Sequence, residues 1–257
     1  MSMGSPICEF EIRCKCCGAA ARRYGVVDFH KHCETQRGGM LELSGIPIYY
    51  HRCVACGFIF TSAFDGFSNA DFTRVIYNAD YAALDPDYAE TRPLGNARLV
   101  TQLLAAQREV RLLDYGGGNG RTAELLRQAG FGRVASYDPF VPAHADRPAG
   151  RFACIICFEV MEHSPQPIQT LQDLDSLLED DGLILFSTLL QPPNIHELGV
   201  NWWYLAPRNG HISLYSKEAL ATLWRQRGFK FGSFNEGLHV ACRQVPTFAK
   251  HFLRGPL

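Results

Sequence analysis

Apolar positions after residue 110 alternate between short runs and helical repeats, and that alternation predicts an α/β sheet. Val110–Leu113 has the length and character of a buried strand, and Thr122–Gln128, stopped by Gly130, reads as the helix after it. Val134–Asp138 is a second strand closed by an acid, and Phe152–Phe158 is an apolar run bounded by polar turns. Within Gln166–Leu178, apolar residues at 168, 171, 174, 177 and 178 recur at helical spacing, Asp181-Gly182 closes the segment, and Leu183–Leu189 is the next strand. Ser216 as N-cap and Gly228 as stop bound a helix over Ser216–Arg227; Phe229–Phe234 and Leu238–Arg243 then read as an antiparallel pair. A helix over Pro93–Gln107 precedes this set, and Gln244–Leu257 shows no period.

One gap changes the expected topology. Only about a dozen residues, including Pro139, Pro142 and Pro148, separate the second strand from Phe152, too few for a crossover helix and a parallel strand. The expected fold is therefore a Rossmann-like doubly wound sheet of six strands, its third strand missing or shortened and its last strand antiparallel. The N-terminal stretch differs in pattern. Tyr24–Phe29, Ile46–Tyr50 and Phe58–Thr61 read as short strands, and Phe64–Asn69 reads as a linker.

Chemistry concentrates at the turn after the first buried strand, Asp114-Tyr115-Gly116-Gly117-Gly118-Asn119-Gly120-Arg121. A strand, a glycine turn and a helix start place backbone N–H groups against a polar ligand. The third glycine of a dinucleotide fingerprint is replaced by Arg121, and a phosphate loop would end in Gly-Lys-Ser/Thr, which is absent. Asp114 would repel a pyrophosphate but receive an ammonium group.

These residues resemble the first motif of the class I S-adenosylmethionine-dependent methyltransferases. The likeness extends to Val134–Pro139, where Asp138 lies where an acid accepts ribose hydroxyls, and to Cys157-Phe158-Glu159-Val160-Met161-Glu162-His163. It implies that Asp114, Tyr115, Gly116, Gly118, Asn119, Gly120, Asp138, Pro139, Phe158 and Glu159 hold S-adenosylmethionine. Two histidines are candidate general bases: His163 at the carboxyl edge of the fourth strand, and His211 in Pro207-Arg208-Asn209-Gly210-His211-Ile212-Ser213, similar to a stretch common in these enzymes. Each has an alternative as a structural hydrogen-bonding group. Trp202 and Trp203 read either as core plugs or as a flat wall for an acceptor. Arg208 would pair with a substrate carboxylate or phosphate, or sit in a surface salt bridge.

Seven of the ten cysteines fall in the first 56 residues. Cys14-Lys15-Cys16-Cys17-Gly18 and Cys53-Val54-Ala55-Cys56-Gly57 are two C-x-x-C knuckles, each followed by glycine. The spacing aims two thiolates per turn at one ion, and four thiolates make the closed site of structural zinc. Cys14, Cys17, Cys53 and Cys56 are the preferred ligands; Cys16, His30, His32 and Cys33 remain alternatives. A module of about 60 residues has little core, so metal is expected to supply much of its folding energy. Knuckles, a Tyr77-x-x-x-Tyr81 segment and this domain together resemble the zinc-containing sugar methyltransferases of antibiotic pathways. A further C-terminal domain, usual there, is not expected here. The expected divisions are a zinc-ribbon-like module over 1–63, a linker or lid over 64–92, its tyrosines covering the cofactor, and the methyltransferase domain over 93–257.

Composition removes several partners. A net charge of -1, and seven Lys/Arg against five Asp/Glu in residues 1–60, give no basic stripe for nucleic acid. No apolar run approaches the ~20 residues of a membrane span. The N-terminus lacks the apolar core of a secretory signal, so a cytoplasmic place is expected. The expectation is an enzyme methylating a small molecule, a sugar or secondary metabolite, and a homo-oligomer is compatible with it. The alternatives are an RNA methyltransferase gripping through the zinc module, and a non-catalytic interaction module.

Overall fold

The computed structural model describes residues 12–34 and 41–253. Its strands and helices run in the order β1 (Ile12–Arg13), β2 (Ala20–Asp28), β3 (Pro47–Cys53), β4 (Ile59–Thr61), α1 (Asn69–Val75), α2 (Tyr81–Leu84), α3 (Thr91–Leu103), β5 (Leu112–Tyr115), α4 (Arg121–Gln128) and β6 (Val134–Tyr137). There follow β7 (Phe152–Phe158), α5 (Pro167–Leu177), β8 (Leu178–Ser187), α6 (Ile195–Leu198), β9 (Ser213–Leu214), α7 (Lys217–Gln226), β10 (Lys230–Ser233) and β11 (Leu238–Cys242).

Six strands form the larger sheet in the order β10-β11-β8-β7-β5-β6. The pairs from β8 to β6 are parallel, and β11 is antiparallel to both neighbours. Among the described residues no strand intervenes between β6 and β7, in keeping with the prolines there. Both faces of this sheet are covered, which is why its central strands are apolar without alternation. Leu113, Ile155, Cys157, Ile184 and Phe186 pack on one face with Leu171 and Leu174 of α5 and Leu220, Leu223 and Trp224 of α7. Leu112, Cys154, Ile156, Leu183 and Leu185 pack on the other with Ala97 and Val100 of α3 and Leu126 of α4. Asp114 shares the second face, so a carboxylate enters an apolar layer at the strand's carboxyl end.

The second sheet is antiparallel throughout, in the order β1-β2-β3-β4-β9. Its last strand comes from far down the chain: Ile59 pairs with Leu214 and Phe60 with Ser213. Tyr50 donates its hydroxyl to His211 O (2.7 Å), Gln191 Nε2 donates to Gly57 O (2.8 Å), and Ser216 Oγ donates to Cys56 O (2.5 Å) while accepting Ala219 N–H as the N-cap of α7. A third apolar cluster, including Ile48, Ile59, Phe72, Ile76, Trp202, Ile212 and Leu214, packs on one face of this sheet, while Phe58 and Phe60 join the core shared with the larger sheet.

Several sequence expectations are corrected. Phe64–Asn69 is a packed turn: Phe64 is 2% exposed, and Ser68 with Asp71 makes a capping box that starts α1. The helix ending at Asp181-Gly182 instead ends at Leu177, and Leu178 already pairs with Phe152. The helix expected to reach Gln107 stops at Leu103, and β3 runs on from Tyr50 into Cys53.

Candidate functional site

At the carboxyl edge of the larger sheet lies a cavity of about 350 Å³, within the ~300–1,000 Å³ range of small-molecule sites. Asp114, Tyr115, Gly116, Gly118, Asn119, Asp138, Pro139, Phe158, Glu159 and His163 all line it, together with Gly117. Gly120 and His211 do not. Gly120 instead caps α4 from the left-handed region (φ 76°), close against His144.

The turn is tight for identifiable reasons. Gly116 and Gly117 both donate to Tyr137 O (2.7 and 3.3 Å), and Gly118 donates to Asp138 Oδ2 (2.9 Å). Gly116 has φ 72°, and a Cβ there would lie 2.3 Å from Val160 Cγ2. Gly116→Ala is therefore expected to destabilise the protein by roughly 1–3 kcal/mol through strain and overpacking. Denaturant midpoints of wild type and variant check this, and equal midpoints would contradict it. Asp138 also accepts Phe140 N–H (2.8 Å) on its other oxygen, and a carboxylate offers about four lone-pair sites, so capacity remains for hydroxyls.

Asp114 is 4% exposed, and its Oδ2 has no hydrogen-bond partner. Burial, with the charge of Asp138 adding, pushes its carboxyl up to about 7. Beside it, Glu159 adopts φ 54°, an uncommon left-handed conformation for a side-chain-bearing residue, held by its N–H to Ser187 Oγ (2.8 Å) and by that hydroxyl donating to its own carboxylate (2.7 Å).

The opposite wall comes from the segment before α3. Tyr77, Tyr81 and Tyr88 line the cavity, their rings meeting edge to face (Tyr77–Tyr81 5.2 Å, Tyr81–Tyr88 5.6 Å). Tyr88 reaches the glycine turn, where a Cβ on Gly118 would fall 2.7 Å from its hydroxyl. Arg92 also lines the cavity and is clamped by Asp85 through two bonds (2.8 and 2.9 Å). Tyrosine spacing carried part of this wall; Arg92, Asn96 and Phe140 had no signal beyond their place near the motifs.

His163 faces the cleft, and His211 lies behind it with ring centroids 5.0 Å apart. Burial, with the charge of Arg92 adding, pushes His163 down to about 4, so its imidazole is neutral near pH 7. His211 is 7% exposed, held well below the usual range by burial, and its Nδ1 meets Tyr204 O at 2.9 Å. Glu162 is fully buried and accepts the Tyr204 hydroxyl. Adjacency to His163 was its one sequence signal; what Tyr204 touches had none.

The structure decides between the alternatives for the tryptophans and revises the reading of Arg208. Trp202 is a core plug (3% exposed) and Trp203 is 38% exposed, and neither lines the cavity. Arg208 is 5% exposed and donates to Ile76 O and Asn78 Oδ1 (both 3.0 Å), so it fixes the tyrosine segment rather than meeting a substrate.

Some distance away, the Sγ atoms of Cys14, Cys17, Cys53 and Cys56 lie within 4.8 Å of one another. Cys14–Cys56 is 3.7 Å and Cys17–Cys53 3.4 Å, near the ~3.8 Å edge of a tetrahedron with Zn–S of about 2.3 Å. Gly18 (φ 74°) and Gly57 (φ 73°) turn each knuckle, and N–H groups of Cys16, Ala55 and Cys56 point at sulfur (3.3–3.4 Å). Donors to its sulfur from Cys16 and Cys56 hold the Cys14 thiol far below its usual range. The donor set suits a thiophilic divalent ion. Cys33 instead sits 3.6 Å from His211 Nδ1, and Cys16 is fully buried outside the cluster.

Comparison with known proteins bears on the family and the fold. A family model described as a methyltransferase domain matches residues 88–232. A ubiquinone biosynthesis O-methyltransferase of Alkalilimnicola ehrlichii is 22% identical over 194 residues, covering 61% of this chain and 78% of its own. Another from Actinobacillus pleuropneumoniae is 35% identical over 106 residues, 31% of this chain and 45% of its own. Among solved structures, an O-methyltransferase family protein from Burkholderia thailandensis has a like fold (TM-score 0.50, 12% identity, 70% of this chain and 64% of that one). No described helix is long and apolar enough to cross a membrane.

Proposed function

The chain belongs to the methyltransferase-domain family and is an S-adenosylmethionine-dependent methyltransferase, and from that premise we propose that it methylates a hydroxyl oxygen of a small, flat acceptor. One observation carries the reading: a single cavity joins the glycine turn and Asp138 to His163, under a roof of tyrosines. Asp138 would accept the cofactor's ribose hydroxyls, the glycine turn, with no side chains in the way, would let its methionine end approach the backbone, and Asp114 would receive its ammonium. When bound, S-adenosylmethionine would supply an electrophilic methyl carbon on a sulfonium sulfur, which takes an oxygen lone pair while the C–S electron pair leaves with sulfur. The chain's residues align that oxygen with the methyl and exclude water. Phe140, Phe158 and the tyrosines offer aromatic faces to the acceptor, while His163, with Glu162 and His211 behind it, promotes loss of the hydroxyl proton.

The finer reading has three parts. Residues 1–63 form a module in which Cys14, Cys17, Cys53 and Cys56 hold a structural zinc; 64–92 act as the lid; 93–257 carry the transfer. Incubation with methyl-labelled cofactor and a panel of phenols, catechols and sugars tests the function. Label on oxygen supports it. Label only on carbon or nitrogen, or none despite cofactor binding, refutes it.

The Asp114 carboxyl adds a pH dependence. Its folded value of about 7 lies above the ordinary carboxyl value of 3.8, so the free protein binds more protons than the unfolded chain between these limits. Its contribution to stability is complete below 3.8 and is lost as pH rises through about 7, by a few kcal/mol at most. An ammonium favours the ionised form, so cofactor binding should release a proton below pH 7 and tighten as pH rises toward it. Calorimetry in buffers of different ionisation enthalpy measures the release. Asp114→Asn should abolish it, and release persisting in that variant would contradict the assignment.

A further inference from the structure

We propose that Glu162, His163 and His211 form a second metal centre, separate from the cysteine knuckles, which holds a divalent cation with one position open to the acceptor hydroxyl. The proposal deepens the reading of the cleft as a hydroxyl-methylating site and rests on it.

Three donors from two distant segments meet here. Glu162 and His163 belong to the turn after β7, and His211 to the segment leading into β9. One ligand atom from each lies within 4.8 Å of the others. A tetrahedral ion with N/O bonds of about 2.1 Å wants edges of ~3.4 Å, within reach of small side-chain rotations.

Tyr204 organises two of the three. Its carbonyl meets His211 Nδ1 (2.9 Å), so that nitrogen carries the proton and Nε2 keeps its lone pair. Its hydroxyl donates to one oxygen of Glu162. A backbone carbonyl behind a ligating imidazole and a donor behind a ligating carboxylate are the supports metal sites use to aim their ligands.

A cation would also satisfy two buried polar atoms. Glu162 is fully buried, its Oε2 has no hydrogen-bond partner, and His163 Nδ1 is likewise buried and unpartnered. Each such atom costs roughly 1–3 kcal/mol, and such orphans call for a reason. Gly210 gives the cluster room, since a Cβ there would lie 2.9 Å from His163 Nδ1.

Two imidazoles, one carboxylate and an open position make the ligand set of a catalytic rather than a structural ion. His163 lines the cleft, so the open position faces the acceptor. An acceptor hydroxyl bound there becomes more acidic. Its O–H bond breaks, the proton passes to water in the cleft mouth, and the oxygen keeps the electron pair with which it takes the methyl. His163 then acts as a ligand rather than as the proton acceptor itself.

Cobalt(II) titration of the full-length, metal-depleted protein tests this. The expected result is two events: one with sulfur-to-cobalt charge-transfer bands from the knuckles, and one with ligand-field bands alone. Glu162→Gln and His211→Gln should each weaken the second at least about tenfold and leave the first intact, which also reports that the variant is folded; Tyr204→Phe should weaken it by about tenfold. Saturation at the sulfur-ligated event alone, or a second event untouched by both ligand variants, overturns the proposal. So does full turnover of hydroxyl acceptors by protein whose knuckles alone carry metal, although the functional reading then stands. Conversely, a second cobalt site on a protein that methylates no hydroxyl would sink the functional reading and leave the centre in place.

Discussion

His163→Ala should lower kcat by about 100- to 10,000-fold while changing cofactor affinity by no more than a few-fold. The separation follows from position. The glycine turn and Asp138 form one end of the cleft, and their hydrogen bonds involve neither histidine. His163 stands across the cavity, 6.1 Å between ring centroids from Tyr77 and backed edge-on by His211. Whether it takes the acceptor proton or holds the ion that loosens it, its loss acts on the transition state. The effect should therefore appear in kcat rather than in ground-state binding. Single-turnover rates and titration calorimetry on the same preparation measure both quantities. An unchanged single-turnover rate would remove His163 from the chemistry.

Cys53→Ser is the change with the largest expected effect on stability. Structural zinc in finger peptides contributes an apparent ~10–16 kcal/mol, comparable with the ~5–15 kcal/mol that keeps a whole domain folded. Cys53 also ends β3, and its sulfur accepts the N–H groups of Ala55 and Cys56 (3.3 and 3.4 Å), so its loss loosens the turn into β4. The damage should not stop there. Cys56 O accepts the hydroxyl that caps α7, and Tyr50 in β3 donates to His211 O. Loss of only half the metal's contribution, several kcal/mol, would lower Tm by roughly 10 °C or more in a chain of this size. Scanning calorimetry with metal analysis should show wild type with zinc in the knuckles and the variant without it. A variant that kept both its Tm and its metal would refute the knuckle assignment.

How much of this was legible in the sequence depends on the range of the interaction. The larger sheet was legible because buried parallel strands are apolar on both faces and their helices repeat at regular spacing; even the absent third strand showed as prolines in a short gap. The glycine turn was legible because its left-handed backbone restricts those positions to few residue types, and Asp138 and the Glu159–His163 run because they resemble methyltransferase motifs. Elements fixed by contacts far away in the chain were not. β9 has two residues and no pattern of its own; β4 makes it a strand. Arg208 and Trp202 carry side chains that suit a ligand, and only the positions of Ile76 and the third apolar cluster show them to be structural. Glu162 stood in plain view within a motif, but its role depends on Tyr204, forty-two residues on. Element ends failed where a cap or pairing intervened, as at Ser68 and Leu178.

The strand contributed by residues 213–214 bears on how the molecule is made. Synthesis delivers the cysteine-bearing sheet first, yet β4 has a bare edge until about 150 further residues have left the ribosome. During that interval a nascent chain exposes unpaired backbone beside the apolar Ile59 and Phe60, an invitation to pair with a neighbouring polypeptide. Early capture of an ion by the two knuckles would hold this front portion in register while it waits. Scarcity of metal during translation should then show itself as aggregation of newly made protein rather than as a weaker finished enzyme.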